Sequence, residues 1–260
     1  MKITSQNIDK INIIPSSDQG VIVDFSSFDA DDAIIFSRLL AQRLRDQGLK
    51  GMVDAIPGMN NLLICYDSII TSHETIAKEA LSHANGLDAS DQSASRLWRL
   101  PVCYGGEFGP DLDEVAQENS LSPEDVITRH TANELTVAIM GFLPGLAYMK
   151  GVDKGLYRPR RSSPRQHVPA LSLGIAMDQT VIYPLASPGG WNLIGRVPFH
   201  PFDAHRADPV LFRAGDRVQF FAVDQAEYHE WQEGLVQGRI NLTPENTPEN
   251  TNGNSTGGAG

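Results

Sequence analysis

The chain has 260 residues, of which 41% are hydrophobic and 20% are charged, a composition typical of a globular protein with one large domain or two ordinary ones. Its formal net charge of −11 argues against nucleic acid or an anionic membrane surface as the main partner. The cysteines, Cys65 and Cys103, lie far apart and outside any CxxC pair, which argues against a disulfide framework and a structural zinc site. The sequence shows neither an export signal nor an apolar run of about 18 residues, so we expect a cytoplasmic protein with no membrane partner.

The first 85 residues alternate short apolar runs with amphipathic helical patterns. Two β-rich runs flank a polar turn, which predicts a hairpin, and apolar residues spaced three and four apart predict a helix that ends at Gly48. Thr71 and Glu74 match a capping box at the start of a second helix. The order ββαββα predicts an α+β domain with its helices on one face of an antiparallel sheet. The predicted strands are 11–14, 21–25, 51–56 and 62–66, and the predicted helices are 33–48 and 71–84.

The composition of the sequence changes after residue 85. Residues 86–96 are small and polar, so we place a domain linker there. Residues 97–240 carry many short strands punctuated by Gly and Pro, which predicts a mainly-β barrel domain. Residues 241–260 contain almost nothing that could join a core, and they are predicted to form a disordered tail. Within the barrel domain the predicted strands are 137–140, 172–176, 180–183 and 217–221, and the predicted helices are 112–119 and a second one that begins at Pro123.

Residues 187–196 combine glycines, a large aromatic and a cation, and core strands do not normally have this composition. Gly189 and Gly190 permit a positive φ and a close backbone approach, which predicts a turn. Trp191 adds a wide apolar face with one N–H donor, and Arg196 is a possible anion contact. We interpret this segment as the wall of a site.

A second Gly-Pro segment directly follows an apolar strand, at the kind of strand end where the sites of barrels usually lie. A purely structural turn is an equally good interpretation, because Gly and Pro punctuate most turns. The segment comprises Gly141, Phe142, Leu143, Pro144 and Gly145.

Four arginines crowd into eight residues, namely Arg158, Arg160, Arg161 and Arg165. In an acidic chain, such a loop attracts anions, and each guanidinium offers a planar fork for a carboxylate or a phosphate. The alternative is a solvated loop whose arginines pair with the protein's own acids. The interleaved prolines stiffen the loop and favour anion binding, because less entropy is then lost when the anion binds.

His167 follows this loop and is the candidate general base, although a single His more often has a hydrogen-bonding or structural role. Ser187 lies outside a GxSxG motif and is therefore a candidate binding residue rather than a nucleophile. His200 and His205 have no cluster of ligands near them in the sequence, so we predict no metal site. Neither GxxxxGK[ST] nor GxGxxG after a strand is present, so these loops do not supply a nucleotide site.

Several of these segments occur together in a recognisable order. They are residues 100–106 (LPVCYGG), 141–145 (GFLPG), 159–161 (PRR), Arg165 with 168–169 (VP), 179–180 (QT), 182–184 (IYP) and 187–196 (SPGGWNLIGR). In this order they resemble the B subunit of bacterial 5-oxoprolinase, a family that is also called allophanate hydrolase subunit 1 and that includes the KipI kinase inhibitor. The resemblance covers nearly all of residues 1–225 and is densest over 99–203.

The resemblance implies a small α+β domain followed by a cyclophilin-like β-barrel. It also implies partner subunits C and A, with which the B subunit opens the lactam of 5-oxo-L-proline to L-glutamate at the expense of ATP. Arg160, Arg161, Arg165 and Arg196 match motif positions, and we assign to them the binding of the substrate carboxylate or of a phosphate. Two alternatives stay open: a KipI-like inhibitor of a sensor histidine kinase, and a carboxyltransferase or allophanate-type module that acts on a urea-like substrate.

Three positions depart from the family pattern. The family usually has glycine-containing turns where this chain has Leu171, Met177 and Val181, and these larger side chains are expected to narrow a pocket or to alter a turn. The Thr-Pro-Glu-Asn tail is also outside the family pattern.

Overall fold

The structure, a computed structural model, describes residues 1–91 and 96–245. Its α-helices are α1 (Ala30–Gln47), α2 (His73–Ala84), α3 (Leu112–Glu118), α4 (Pro123–Ala132) and α5 (Gln225–Val236). Its strands are β1 (Asn12–Pro15), β2 (Gly20–Asp24), β3 (Met52–Pro57), β4 (Asn61–Tyr66), β5 (Leu97–Tyr104), β6 (Leu135–Met140), β7 (Ala147–Lys150), β8 (Arg165–Val168), β9 (Ser172–Ala176), β10 (Gln179–Ile182), β11 (Ser187–Gly189), β12 (Asn192–Arg196) and β13 (Arg217–Val223). None of the helices in the described ranges is long and apolar enough to cross a membrane.

The N-terminal domain is an antiparallel sheet in the order β1-β2-β4-β3, on which α1 and α2 pack. The predicted hairpin is confirmed as β1 paired with β2. The predicted first helix is also confirmed: Phe36, Leu40 and Leu44 are buried on one face of α1, and Gly48 ends it with a φ of 59°. This left-handed conformation suits glycine, which has no Cβ to clash with the backbone.

The predicted start of the second helix is wrong by one residue. Ser72 is the N-cap of α2, and its Oγ accepts a hydrogen bond from the backbone N–H of Thr75 at 3.2 Å. Thr71 belongs to the preceding turn, where its N–H donates to the carbonyl of Asp67 and its side chain packs against Gly51. The Thr71 hydroxyl therefore does not cap the helix.

The second domain is a closed seven-stranded barrel in the order β10-β7-β6-β13-β5-β12-β9, which confirms an α+β domain followed by a mainly-β barrel. β13 and β5 run parallel, and the other neighbouring strands of the barrel are antiparallel. Alternate residues along each strand point inward and fill the barrel with apolar side chains such as Leu100, Ile175 and Phe220.

The turn predicted over residues 187–196 is wrong. Ser187–Gly189 forms strand β11, which pairs with β8, and Asn192–Arg196 forms β12 in the wall of the barrel. Neither Gly189 nor Gly190 has a positive φ. Glycine is required at position 189 for a different reason, because a Cβ there would lie 2.2 Å from the hydroxyl of Tyr183.

The ring of His130, near the end of α4, lies inside the barrel. It stacks on Phe220 with ring centroids 5.3 Å apart, and its Nδ1 lies 2.8 Å from the hydroxyl of Tyr104. Its Nε2 lies 3.3 Å from the hydroxyl of Thr180, which itself donates to the carbonyl of Gly174. The Thr180 oxygen therefore accepts from Nε2–H, Nδ1 accepts from Tyr104, and His130 is held as one neutral tautomer.

The predicted tail is ordered at its beginning. Glu245 exchanges two backbone hydrogen bonds with Leu97 at the start of β5, and Leu242 packs against the barrel core. The expectation of disorder is therefore wrong for 241–245, because Leu242 does join the core. Residues 246–260 of the predicted tail and 92–95 of the predicted linker lie outside the described residues.

Candidate functional site

An apolar cluster on the outer face of the barrel joins the three segments that the sequence indicated. Along β10 and β12, Val181 and Leu193 belong to this cluster, whereas their neighbours Ile182 and Ile194 point into the barrel. We call it the outer cluster; its buried members are Leu146, Val168, Ala176, Val181, Tyr183, Trp191 and Leu193, with Leu143 and Tyr148 partly buried against them. Leu143 belongs to the Gly141–Gly145 segment, Val168 to the strand after the arginine loop, and Trp191 to the third segment. The predicted segments therefore do meet.

Arg160 lies on the solvent side of this cluster. Its guanidinium carbon is 5.1 Å from the centre of the Trp191 ring, and the ring of Tyr148 lies 6.0 Å from that of Trp191. Arg160 is exposed, and within residues 1–91 and 96–245 it forms no ion pair. A cation over an aromatic face keeps its hydrogen-bond donors available, so Arg160 presents a positioned guanidinium to solvent.

The other three arginines of the loop pair with the protein's own acids, as the alternative interpretation predicted. Arg165 Nη2 and Arg161 Nη1 lie 2.6 and 3.2 Å from Oδ1 of the buried Asp111. Arg158 Nη2 lies 2.6 Å from Glu114, which also receives Arg161 at 3.0 Å. Nη1 of Arg165 is buried there without a hydrogen-bond partner among the described residues. Ligand contacts by Arg161 and Arg165 stay a prediction.

Asp111 and Asn192 fix the arginine loop to the barrel, and sequence patterns did not single them out as site residues. Asp111 Oδ2 accepts the backbone N–H of Leu193 at 2.6 Å while Oδ1 receives the arginines. The amide of Asn192 donates to Pro159 at 3.0 Å and accepts from Arg158 at 3.0 Å. Asn192 is fully buried, and a buried polar side chain in a barrel strand is the kind of signal that marks such a tether.

Tyr183 brings a buried hydroxyl to the same place. Burial raises the pKa of Tyr183 to about 12, with the charges of Arg160 and Arg165 acting in the opposite direction. The hydroxyl is therefore protonated at neutral pH and available as a donor.

The close approach of Gly189 to Tyr183 gives a direct test. We expect Gly189→Ala to lower the stability of the barrel by about 2 kcal/mol, because the new methyl group must displace the Tyr183 hydroxyl. Urea unfolding followed by tryptophan fluorescence would measure it.

Gly190→Ala is the matched control for this change. Its nearest neighbours would lie 3.6 Å or more from the new Cβ, and its φ is not positive. A Tyr183→Phe background should reduce the cost of Gly189→Ala, since the closest atom is gone. An equal cost at positions 189 and 190 would contradict the assigned contact.

The Gly141–Gly145 segment is a strained turn that exposes an aromatic ring. Phe142 is 68% exposed and has a φ of 71°, which is unfavourable for a residue with a side chain. Gly145 has a φ of 81°, and a Cβ there would lie 2.7 Å from that of Phe202. Pro144 is exposed. The turn therefore holds Phe142 and Pro144 at the surface beside the outer cluster.

His167 and Ser187 lie in the paired strands β8 and β11. His167 is exposed, whereas the hydroxyl of Ser187 is buried. Neither side chain has a hydrogen-bond partner among the described residues. These two residues therefore do not form a nucleophile–base pair, and the catalytic role of His167 stays a prediction.

Arg196 is not brought to the outer cluster. Its guanidinium carbon lies 5.5 Å from the centre of the Phe108 ring, which packs with Cys103 and Tyr228 in a separate cluster. One of its nitrogens lies 3.5 Å from the carbonyl of Glu107. Arg196 and Arg160 thus face different surroundings, and an anion site shared by the two is not formed in this structure.

The three departures from glycine have different structural settings. Leu171 and Met177 have φ values of 66° and 55°, so these two side chains occupy a backbone conformation that glycine adopts without strain. The turns keep the shape that glycine would give them. Val181 is buried in the outer cluster, where it fills space with its side chain.

The chain matches the family described as carboxyltransferase domain, subdomain C and D, over residues 11–212. The B subunit of 5-oxoprolinase from Bacillus subtilis (strain 168) is 39% identical over 203 residues, which are 74% of this chain and 85% of that protein. The B subunit of 5-oxoprolinase from Escherichia coli O157:H7 is 42% identical over 184 residues, 70% of this chain and 82% of that protein. This chain belongs to the family of these 5-oxoprolinase B subunits.

Solved structures show the same fold. The protein named TTHA0988 is 34% identical with a TM-score of 0.70; the match covers 79% of this chain and 40% of the length of that one. The Kluyveromyces lactis urea amidolyase, at 18% identity, matches 90% of this chain and 16% of its own length with a TM-score of 0.74. The likeness to the urea amidolyase shows only that the two chains share a fold.

Proposed function

We propose that this chain is the B subunit of a cytoplasmic 5-oxoprolinase complex that opens 5-oxo-L-proline to L-glutamate with hydrolysis of ATP. The observation that carries the proposal is the 39% and 42% identity, over most of their length, to two proteins of that name. The urea-type alternative has weaker support, because the urea amidolyase structure shares 18% identity with this chain.

The chemistry explains why the reaction consumes ATP. A lactam carbonyl is a poor electrophile, and transfer of the γ-phosphoryl group of ATP to its oxygen turns that oxygen into a leaving group. A first water then adds to the carbon, the ring C–N bond breaks with a proton going to nitrogen, and a second water hydrolyses the resulting acyl phosphate to the carboxylate and phosphate. The products are L-glutamate, ADP and phosphate, and the sequence of steps consumes two water molecules.

The geometry favours a binding role for this subunit within a larger enzyme. At the outer cluster the described residues offer a positioned cation and a protonated hydroxyl, but no nucleophile–base pair. We assign the nucleotide and the remaining catalytic groups to partner subunits of types C and A. Phe142 is exposed beside the outer cluster, and an exposed aromatic ring is suited to contact such a partner.

Within this proposal Arg160 binds the anion. Its guanidinium is held over Trp191, so little side-chain freedom is lost when a carboxylate or phosphate oxygen binds to it. Tyr183 supports the site by packing in the same cluster as Trp191, with its hydroxyl against Gly189 of the preceding strand.

The function is tested by mixing the purified chain with the products of its neighbouring genes. We expect glutamate to appear from 5-oxo-L-proline only when ATP and this chain are both present. ATP-dependent turnover of urea by the same mixture, with none of 5-oxo-L-proline, would contradict the proposal. So would a complete mixture that assembles and yields no glutamate.

In the active mixture, Arg160→Met should lower kcat/KM at least tenfold, because a charge-assisted hydrogen bond to the bound anion is lost while the stem can still cover Trp191. Steady-state kinetics would measure this, and Arg160→Lys should recover part of the loss. Arg213→Met is the matched control, since Arg213 is an exposed arginine whose ion pair with Asp208 lies at the surface. Equal rates for the two methionine variants would remove Arg160 from the site.

A further inference from the structure

A cavity of about 390 Å³ lies between the N-terminal domain and the barrel, away from the outer cluster. One wall is formed by Asp31, Ile34, Ile35 and Arg38, which are spaced three and four residues apart and so lie on one face of α1. The facing wall belongs to the barrel domain and combines polar residues such as Thr136 and Lys150 with the small residues Ala138, Gly151 and Gly215. A recess of this size at a domain interface, mostly apolar with a few polar groups, is typical of small-molecule sites.

Arg38 presents unused hydrogen-bond donors to this cavity. It is half-buried, and its guanidinium lies against Gly215, where a Cβ would be 2.2 Å from Arg38 Nη1. Across the described ranges, 1–91 and 96–245, Arg38 forms no hydrogen bond and no ion pair. Burial lowers the pKa of Arg38, with Asp216 opposing the shift. The guanidinium has thus lost hydration that its surroundings do not fully replace.

Asp216 cannot serve as a direct partner for Arg38, because its oxygens are already engaged. Oδ1 receives Arg96 Nε at 2.9 Å, and Oδ2 receives the indole N–H of Trp98 at 3.0 Å and the backbone N–H of Arg213 at 2.9 Å. The attraction between Asp216 and Arg38 therefore acts at a distance, and the donors of Arg38 stay directed at the cavity.

The other charged side chains around the cavity are, apart from Lys154, held in ion pairs, and the acidic ones among them are exposed. Lys150 Nζ lies 2.8 Å from Asp31 and 3.8 Å from Asp178, and Glu134 lies 2.8 Å from Arg217. The exposed Lys154 stands at the rim. Arg38, Lys150, Lys154 and Arg217 supply four positive charges against the three negative charges of Asp31, Glu134 and Asp178, so a net charge of +1 remains, and Arg38 is the cation inside the cavity without an ion pair among the described residues. A single negative charge on a ligand balances it, whereas a phosphate dianion would be repelled by Asp31 and Asp178.

We propose that this cavity binds a small organic monocarboxylate, with the carboxylate on the guanidinium of Arg38 and the apolar body against Ile34 and Ile35. Because the two walls belong to different domains, a ligand bound here fixes the N-terminal domain against the barrel. The proposal is independent of the activity assigned to the outer cluster.

Cyclopentanecarboxylate is a suitable probe, because it combines one carboxylate with a compact apolar body. We expect saturable binding to the whole chain by titration calorimetry and NMR, with shifts confined to α1, β6 and β7. Arg38→Gln should weaken this binding at least tenfold, and Ile35→Trp should abolish it by filling the cavity while the charge stays in place. Inorganic phosphate should bind at least tenfold more weakly than the probe to the wild-type chain.

Arg239→Gln is the control, since Arg239 is an exposed arginine that does not line the cavity, and its loss should leave probe binding unchanged. Circular dichroism of each variant checks that the fold is retained. Absence of binding to the wild type, or equal binding to Arg38→Gln, overturns the proposal. Preference for phosphate overturns the ligand class. If the probe does not bind and Arg38→Gln instead weakens assembly with partner subunits, the cavity receives a partner side chain and the proposal is wrong.

Discussion

Asp111→Ala is expected to lower the stability of the barrel domain by about 3 kcal/mol, because it removes the buried partner of two arginines at once. The carboxylate of Asp111 is 4% exposed, and it accepts from Arg161, Arg165 and the backbone N–H of Leu193. Its loss leaves Arg165 without its anion, Arg161 with Glu114 alone and one buried N–H of β12 without its acceptor. Urea unfolding would measure this selectively, because the three tryptophans, Trp98, Trp191 and Trp231, all lie in the barrel domain.

Two further variants separate the effect of the Asp111 charge from the effect of its hydrogen bond to Leu193, and compare both with an exposed ion pair. Asp111→Asn keeps an acceptor for Leu193 and removes the charge, so its cost should fall between those of the wild type and Asp111→Ala. Asp208→Ala breaks the exposed ion pair with Arg213 and should cost less than about 1 kcal/mol. If Asp111→Ala and Asp208→Ala had the same cost, the buried pairing would contribute no more to stability than an exposed ion pair.

The elements that could be predicted from the sequence are those specified by neighbouring residues. α1 was predicted correctly because its apolar residues recur at helical spacing and Gly48 ends it, and both signals lie within the helix itself. The same holds for α4, where Ser122 forms a capping box with Asp125 and Pro123 occupies the first turn. Local signals of this kind require no knowledge of the rest of the fold.

β12 could not be predicted from local pattern, because both of its faces are covered. Leu193 packs in the outer cluster while Ile194 fills the barrel, so the alternation of apolar and polar residues that marks a half-buried strand is missing. In the sequence, Asn192 and the neighbouring Gly189, Gly190 and Gly195 are residue types that are typical of a turn. The cover is provided by β8 and β11, which pair through residues about twenty positions apart in the sequence. α5 was missed for a related reason, since only Tyr228 and Gly234 are buried on it.

The site was predictable at the level of segments but not of single residues. The three indicated segments converge on one cluster, yet the partners that decide the role of each arginine lie about 45 to 55 residues away, in Asp111 and Glu114. Arg160 and Arg161 are neighbours in the sequence, and only the fold shows that one lies over Trp191 while the other pairs with acids. Charge clustering predicts a cationic loop, but the tertiary contacts determine which cation stays available.

His130 is expected to make the barrel unstable in mild acid. Burial lowers the pKa of His130 from 6.5 to about 4, because an imidazolium inside the barrel would lose its hydration. Tyr104, Thr180 and Phe220 face the ring and carry no negative charge at neutral pH; burial moves the pKa of Tyr104 upward. Protonation would also break the hydrogen bond that Nδ1 accepts from Tyr104. The folded state therefore favours neutral His130, and this contribution is complete above pH 6.5.

As the pH falls from 6.5 to about 4, the unfolded chain binds a proton at this residue and the folded chain does not, so stability should fall by about 3 kcal/mol. Tryptophan-detected urea unfolding at a series of pH values would measure the slope, and the ring signal of His130 in NMR spectra should not titrate above pH 5. In His130→Gln, the loss of stability between pH 6.5 and about 4 should be smaller by that amount, because the carboxylates of the chain titrate equally in both proteins. His205→Gln, at an exposed position, should leave the slope unchanged. A ring that titrates near pH 6.5, or an identical slope in His130→Gln, would show that the buried imidazole is not held neutral, and the assigned tautomer would then be wrong.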